Sequence, residues 1–433
     1  MNLALSEIFV ISTQGSDFFE DFSQVGGDYY DVLGSHAFGN YRNLLGAITR
    51  HTGMGFFLSH INNPKSDPAN NTFPDENYAR EIMQLFSIGL YELNNDGSQK
   101  LDANAWPIPT YNNTDIGEYA KIFTGFSNGT PGGYFGDVEP SNIDAFLTTP
   151  MKMFDAYHEP GVKNLLNGLV VPAGQTGEQD VDMALDGLHN HPNTGPYICR
   201  ALIQFFVSSN PSPAYIDRVA SVFNDNGQGT RGDFKAVIKA ILLDSEARDC
   251  NAVNHPTNGK LKEPLLRYSQ FLKGFNGNPI NGSVFTTMED YYNATGQSAL
   301  YSPSVFNFFS PFYSPLGDIG NAGLVAPEFQ VLNSSTSIGY VNHTNWILFT
   351  DEYLSSEEGD STVDVNLSTE WNLADTNPTA LVDRLNIVLA SGQLSTNTKN
   401  TIINAISQLS DTDDRLDLAM YLVMISPDCA IQK

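Results

Sequence analysis

Residues 74–89 read Pro74-Asp75-Glu76-Asn77-Tyr78-Ala79-Arg80-Glu81-Ile82-Met83-Gln84-Leu85-Phe86-Ser87-Ile88-Gly89. No proline or glycine interrupts positions 75–88, and Asp75 is a good N-cap. At about 100° per residue, Asn77, Arg80, Glu81 and Gln84 share one face, with Tyr78, Ile82, Leu85 and Phe86 opposite. Glu76 and Arg80 add an i,i+4 acid–base pair. The spacing predicts an amphipathic helix that Gly89 ends or weakens.

Helical spacing recurs on both sides of this stretch. Upstream, Leu3 to Val10 reads as an amphipathic helix, and Phe38 to Ile61 carries Leu44, Leu45, Ile48, Met54, Phe57 and Leu58 near a helical period. Asn62 to Phe73, with Pro64 and Pro68, and Tyr91 to Asn113 read as loops. Thr114 is the expected cap of the next helix, whose first turn holds Asp115 and Glu118 where the helix dipole favours them. Ser127 to Pro150 contains Gly129, Gly132, Gly133 and Gly136 and reads as a long loop, a feature that often lines a site. From Gln179 onward helices follow densely. Ser212-Pro213 and Asn377-Pro378 are cap-plus-proline starts, and Gly392 suits a left-handed stop after Leu381 to Ser391. Alternating strand patterns are scarce. The expected fold class is therefore mainly α: a large multi-helix globular array with long Gly/Asn/Pro-rich loops.

Several segments together resemble one known family. Residues 74–89 are similar to the signature helix of the bacterial domain-of-unknown-function family 1800. The similarity continues through Ala37 to Leu45, His51 to Gly55, Asp115 to Phe126, His191 to Thr194, Lys262 to Pro264, Pro303 to Phe309, Ala326 to Phe329 and Ala380 to Lys433. Thr52 stands where a proline is usual, and Asp75 replaces the first Asn of the signature. The resemblance implies one family domain over 1–433, with a sub-division into 1–250, which carries the signature helix, and 251–433. It also implies a longer N-terminus with an export signal, hence an extracellular or periplasmic home. Met1 runs straight into Leu3, Ala4 and Leu5 with no basic leader, so a preceding portion is expected. The family brings no settled reaction with it.

Charge narrows the function classes. Asp plus Glu total 49 against 22 Lys plus Arg, a formal net charge of -27. Such a field repels nucleic-acid backbones and anionic lipid, so neither is an expected partner. No apolar run approaches a membrane span. Cys199, Cys250 and Cys429 are too few for a disulfide scaffold, and Cys199 reads as a buried thiol.

Two readings of the signature helix stay open. In one, its polar face borders a pocket: Glu81, Glu76 and Asp115 are the catalytic carboxyl candidates, and Asn77, Arg80, Gln84, Tyr134 and Tyr157 bind substrate. This reading expects an extracytoplasmic hydrolase, a glycosidase on a polysaccharide, with a second acid drawn from Asp115, Glu118, Asp155, Glu159, Glu263 or Glu328. Tyr111, Phe135, Tyr291 and Tyr292 are further rings for sugar faces. In the other, the same polar face is a structural network in a non-enzymatic envelope or surface binding protein. A metal-dependent hydrolase is a third alternative. No cofactor is expected, but should a divalent metal be needed, Asp155, His158 and Glu159 are the candidates. They and His189-Asn190-His191 lack the His-Glu-x-x-His spacing. Asn94 to Asp102 and Asn224 to Asp233 are Asp/Asn/Gly loops without the EF-hand pattern. Gly125-Phe126-Ser127-Asn128-Gly129 fits the G-x-S-x-G string, but a helix precedes it and a loop follows, the reverse of a nucleophile elbow. Oligomeric state is not legible.

Overall fold

A computed structural model describes residues 1–137, 142–251, 255, 257–279, 288–349 and 363–433. Helix accounts for 55% of the described residues. Among the described residues, strands form only four short antiparallel pairs, so the fold is mainly α. No helix there is long and apolar enough to cross a membrane. Residues 138–141 of the glycine-rich loop lie outside the described set.

The chain divides into two units, 1–252 with 300–307, and 253–299 with 308–433. Segment 300–307 belongs to the first unit, where hydrogen bonds to its carbonyls hold it: Thr13 N donates to Leu300 O (2.8 Å) and the Ser12 hydroxyl to Ser302 O (2.5 Å). A division at residue 250 does not anticipate that return.

In the first unit, Leu44, Leu45 and Ile48 from the helix Tyr41–Arg50 meet Val181, Ala184, Leu185 and Leu188 from Gly177–Asn190 in one apolar core. Arg42 and Arg50 then bind the carboxylates of Asp182, Asp186 and Glu178 along the outer side of the same pair. The helical period read over 38–61 is carried by two helices, because His51 turns extended (ψ 129°) and its ring accepts from Gly53 N to start Thr52–Phe57. The cap before Asp115 is Asn112 and not Thr114. Asn112 accepts from both Thr114 N and Asp115 N, while Asp115 Oδ2 accepts from Asn112 N, a reciprocal box. The glycine-rich segment is less irregular than expected, since Phe126–Ser127 pairs with Lys152–Met153 and Ile143–Thr148 is a short helix.

The second unit packs Leu381, Leu385 and Leu389 of Pro378–Ala390 against Leu416, Met420 and Val423 of Thr412–Ile425. The cap-plus-proline starts occur as read, at Ser212 and Asn377, and Ser391 (φ 53°) with Gly392 (φ 80°) makes the left-handed stop. Helix Ser334–Phe349 crosses Met288–Thr295 at Gly339, where a Cβ would lie 1.9 Å from the Ala294 carbonyl oxygen. Backbone cannot yield as a side-chain tip can, so Gly339→Ala is expected to cost about 3 kcal/mol or more. Urea denaturation monitored on the second unit's tryptophans checks this.

Candidate functional site

The signature helix spans Asn77–Gln84, with Glu76 at the cap position. Asp75 still does the capping chemistry, since its Oδ1 accepts from Asn77 N at 2.7 Å. Its own N–H donates to Asn63 Oδ1 (3.0 Å), which ties the helix start to the 59–66 loop. Tyr78 anchors the buried side by stacking on His60 at 3.9 Å and sharing a 2.7 Å hydrogen bond with Thr49 Oγ1. The far end widens: Phe86 N donates to Glu81 O (3.1 Å) and Ile88 N to Met83 O (2.9 Å), five residues back instead of four. Gly89 closes the turn at φ 71°, and a Cβ there would sit 2.7 Å from the Tyr197 ring. Glycine at 89 thus lets Tyr197 close in and donate to Gln84 O (3.0 Å).

Glu81 sits at the seam of the two helix faces and is only 5% exposed. Its Oε2 is buried and has no hydrogen-bond partner among the described residues. Burial pushes its carboxyl above the ordinary range, and the Arg80 charge offsets this only in part. Tyr111, which donates to Gln84 Oε1 at 2.9 Å, is pushed up to about 12 by burial and by the Glu81 charge. Tyr197 is raised as well, by burial, Tyr111 and Glu81. A carboxyl raised by burial, with one oxygen uncommitted, has the direction of shift that suits a general acid.

The remaining candidates divide. Arg80 and Glu76 form a 3.3 Å pair in solvent, with side chains 40% and 50% exposed. Exposed i,i+4 pairs contribute little, so Arg80→Ala is expected to change stability by less than about 0.5 kcal/mol. An inter-helix anchor would instead cost several times that in the same denaturation measurement. Glu76 lies five residues before Glu81, about 140° around the helix, so the two do not flank a common bond. Asp115 lies on the neighbouring helix Asn113–Ile122, committed to its cap. Asn77 Nδ2 reaches Ser59 Oγ, at a long 3.5 Å. Tyr134 is exposed, and Tyr157 stacks on Phe135 at 3.8 Å with planes 7° apart. Their loops join the helix start through Asn62 and Asn63: Asn62 Oδ1 accepts from Gly136 N (3.2 Å), and Asn63 O from Gly125 N (2.9 Å).

The metal candidates do not converge. Asp155 Oδ1 accepts from Gly177 N (2.8 Å) and Glu159 Oε2 from Ser66 N (3.0 Å), each serving a turn of its own. His158 belongs instead to a buried network that the sequence reading missed. Its Nδ1 meets Thr124 O at 2.9 Å, and its Nε2 lies 3.0 Å from Asp180 Oδ2 and 3.1 Å from Lys163 Nζ. Lys163 contacts Asp180 Oδ2 directly, Gln175 Nε2 donates to Asp180 Oδ1 (2.8 Å), and all three ionisable side chains are 1–3% exposed. Lysine inside the apolar run Val162 to Val171 was the available signal. His189 packs on Tyr41, while His191 Nδ1 accepts from Asn193 N, so the two rings serve different neighbours, although Arg231 donates to both backbone carbonyls. In the two Asp/Asn loops, Asp96, Asp102 and Asp225 accept from their own turn amides. Among the described residues, no group of three or more His, Cys, Asp or Glu is placed to hold a metal. Ser127 is buried and donates to Asn62 Oδ1 at 2.5 Å, and no helix follows it directly as an elbow needs.

A family model described as a protein of unknown function, DUF1800, matches residues 1–431. No curated protein and no solved structure matches the chain.

Proposed function

We propose that this chain, which belongs to the DUF1800 family, is an extracytoplasmic hydrolase whose general acid is Glu81 and whose substrate is a neutral polysaccharide. The observation that carries the reading is the Glu81 carboxyl, buried, raised toward its neutral form and holding an unpartnered oxygen. In that role Glu81 gives its proton to the leaving oxygen of the scissile bond as water attacks. Tyr111 and Gln84, bonded to each other beside it, hold the local hydrogen-bond pattern, and Arg80 supplies a nearby cation in solvent. Exposed rings at Trp106, Tyr134 and Tyr157 suit the apolar faces of sugars, and a net charge of -27 favours an uncharged substrate.

The competing role is a non-enzymatic surface protein in which Glu81 is simply a buried helix residue, favoured by the low exposure of that side chain. Release of reducing ends from a panel of neutral polysaccharides, by wild type and by Glu81→Gln, separates the two. Turnover by wild type that falls by about 10²-fold or more in the variant supports the hydrolase. A variant as active as wild type, or no release from any polysaccharide, removes the support.

A further inference from the structure

The second unit holds another buried acid–base cluster. Lys260 lies on the strand Lys260–Leu261, Glu263 precedes the helix Pro264–Gly274, and Glu328 sits in the turn Pro327–Gln330. Lys260 Nζ is 3.0 Å from Glu328 Oε1, with side chains 1% and 2% exposed. Glu263 is fully buried, and its Oε2 accepts from Gln297 Nε2 at 2.6 Å. Each glutamate keeps one buried oxygen, Glu263 Oε1 and Glu328 Oε2, without a hydrogen-bond partner among the described residues. Burial holds the Glu328 carboxyl above the ordinary range despite Lys260, and the charge of Glu263 adds to the rise.

We propose that Lys260 and Glu328 become joined by an intramolecular isopeptide bond in the folded second unit, with Glu263 relaying the proton. In a dry interior, an ion pair costs several kcal/mol per ion in lost hydration. Moving the proton from the ammonium to the acid relieves that cost and leaves a neutral amine facing a neutral carboxyl. The amine lone pair attacks Glu328 Cδ and forms the C–N bond. Glu263 takes a proton from that nitrogen and delivers it to the departing hydroxyl, the C–O bond breaks, and one water leaves. Glu263 is restored. Nothing is oxidised or reduced, and no co-reactant is consumed.

The Lys163–Asp180 pair of the first unit is an internal contrast. Asp180 is also buried, but hydrogen bonds from Lys163, His158 and Gln175 outweigh that burial and hold it below the usual carboxylate range. A carboxylate held ionised by three donors is a poor electrophile, so this pair stays ionic.

Intact-mass measurement of the purified full chain tests the proposal without any substrate. Wild type is expected to be lighter than its sequence by one water, with tandem spectra of a digest showing the peptides that carry Lys260 and Glu328 joined. Lys260→Met and Glu263→Gln are each expected to restore the full mass. A wild-type chain at full mass, with Lys260 and Glu328 in separate linear peptides, overturns the bond, and this reading needs no variant to fold. Loss of water persisting in Glu263→Gln overturns the relay, and a Lys163–Asp180 cross-link overturns the electrophile argument.

Discussion

Replacing Asp180 with alanine is expected to destabilise the first unit by about 3–5 kcal/mol. The substitution strips the counter-charge from Lys163 and one of the two partners of His158 Nε2, both side chains being almost fully buried. Lys163 Nζ keeps the Glu159 carbonyl, and His158 Nδ1 keeps the Thr124 carbonyl. Neither carbonyl neutralises a charge. The pair as a whole contributes far less than either partner's removal suggests, because two hydrated ions were given up to form it. The double change Lys163→Met with Asp180→Leu is therefore expected to recover most of the loss, a strong non-additivity measurable by urea denaturation. Three donors depress the Asp180 pKa against the desolvation that would raise it. The folded value thus lies below the unfolded one of about 4. The stability it contributes is present at neutral pH and drains away as pH falls from about 4 through the folded pKa. The wild-type chain should show that acid limb, and the double variant should lack this part of it. A single Asp180→Ala cost below about 1 kcal/mol would mean that the network is hydrated after all.

How much of this was readable beforehand depends on the distance over which each feature is determined. The mainly α fold, the two cap-plus-proline starts and the stop at Ser391–Gly392 are local, and they occur as read. Asn112 took the cap from Thr114 because three polar residues in a row leave the choice to backbone geometry. The helical wheel placed Glu81 with Asn77, Arg80 and Gln84, yet Glu81 alone of the four is buried. Its burial is set by tertiary neighbours. Tyr111 arrives from the loop ahead of the next helix and Tyr197 from Thr194–Phe206, more than a hundred positions away, admitted by Gly89. No period in 77–84 encodes that. Lys163 and Asp180 meet across a short hairpin and a helix start, and Lys260 meets Glu328 across 68 positions of sequence. Glu263 and Glu328 stood out as motif acids, but only folding makes them neighbours.

Glu81→Gln is expected to move activity and stability in opposite directions. Turnover should fall by about 10²–10⁴-fold, since an amide cannot give up the proton. Stability at neutral pH should hold or rise, because the amide keeps nearly the shape of the acid and carries no charge into the burial site. The sign follows from the raised folded pKa of Glu81, caused first by burial and opposed only partly by Arg80. A group raised in the fold supports folding fully below its unfolded pKa, about 4.3, and that support is lost as pH rises through the folded value. The stability gap between variant and wild type should therefore widen across that window and then level off. A general acid must be protonated to act, so kcat/KM of the wild type should fall on the alkaline side through the same folded pKa. Coincidence of the two midpoints, one from thermal unfolding at a series of pH values and one from initial rates, would tie the reaction to this single carboxyl. A kcat/KM profile indifferent to the pH range in which the stability gap opens would separate them and leave Glu81 a buried helix residue, with the proton coming from elsewhere.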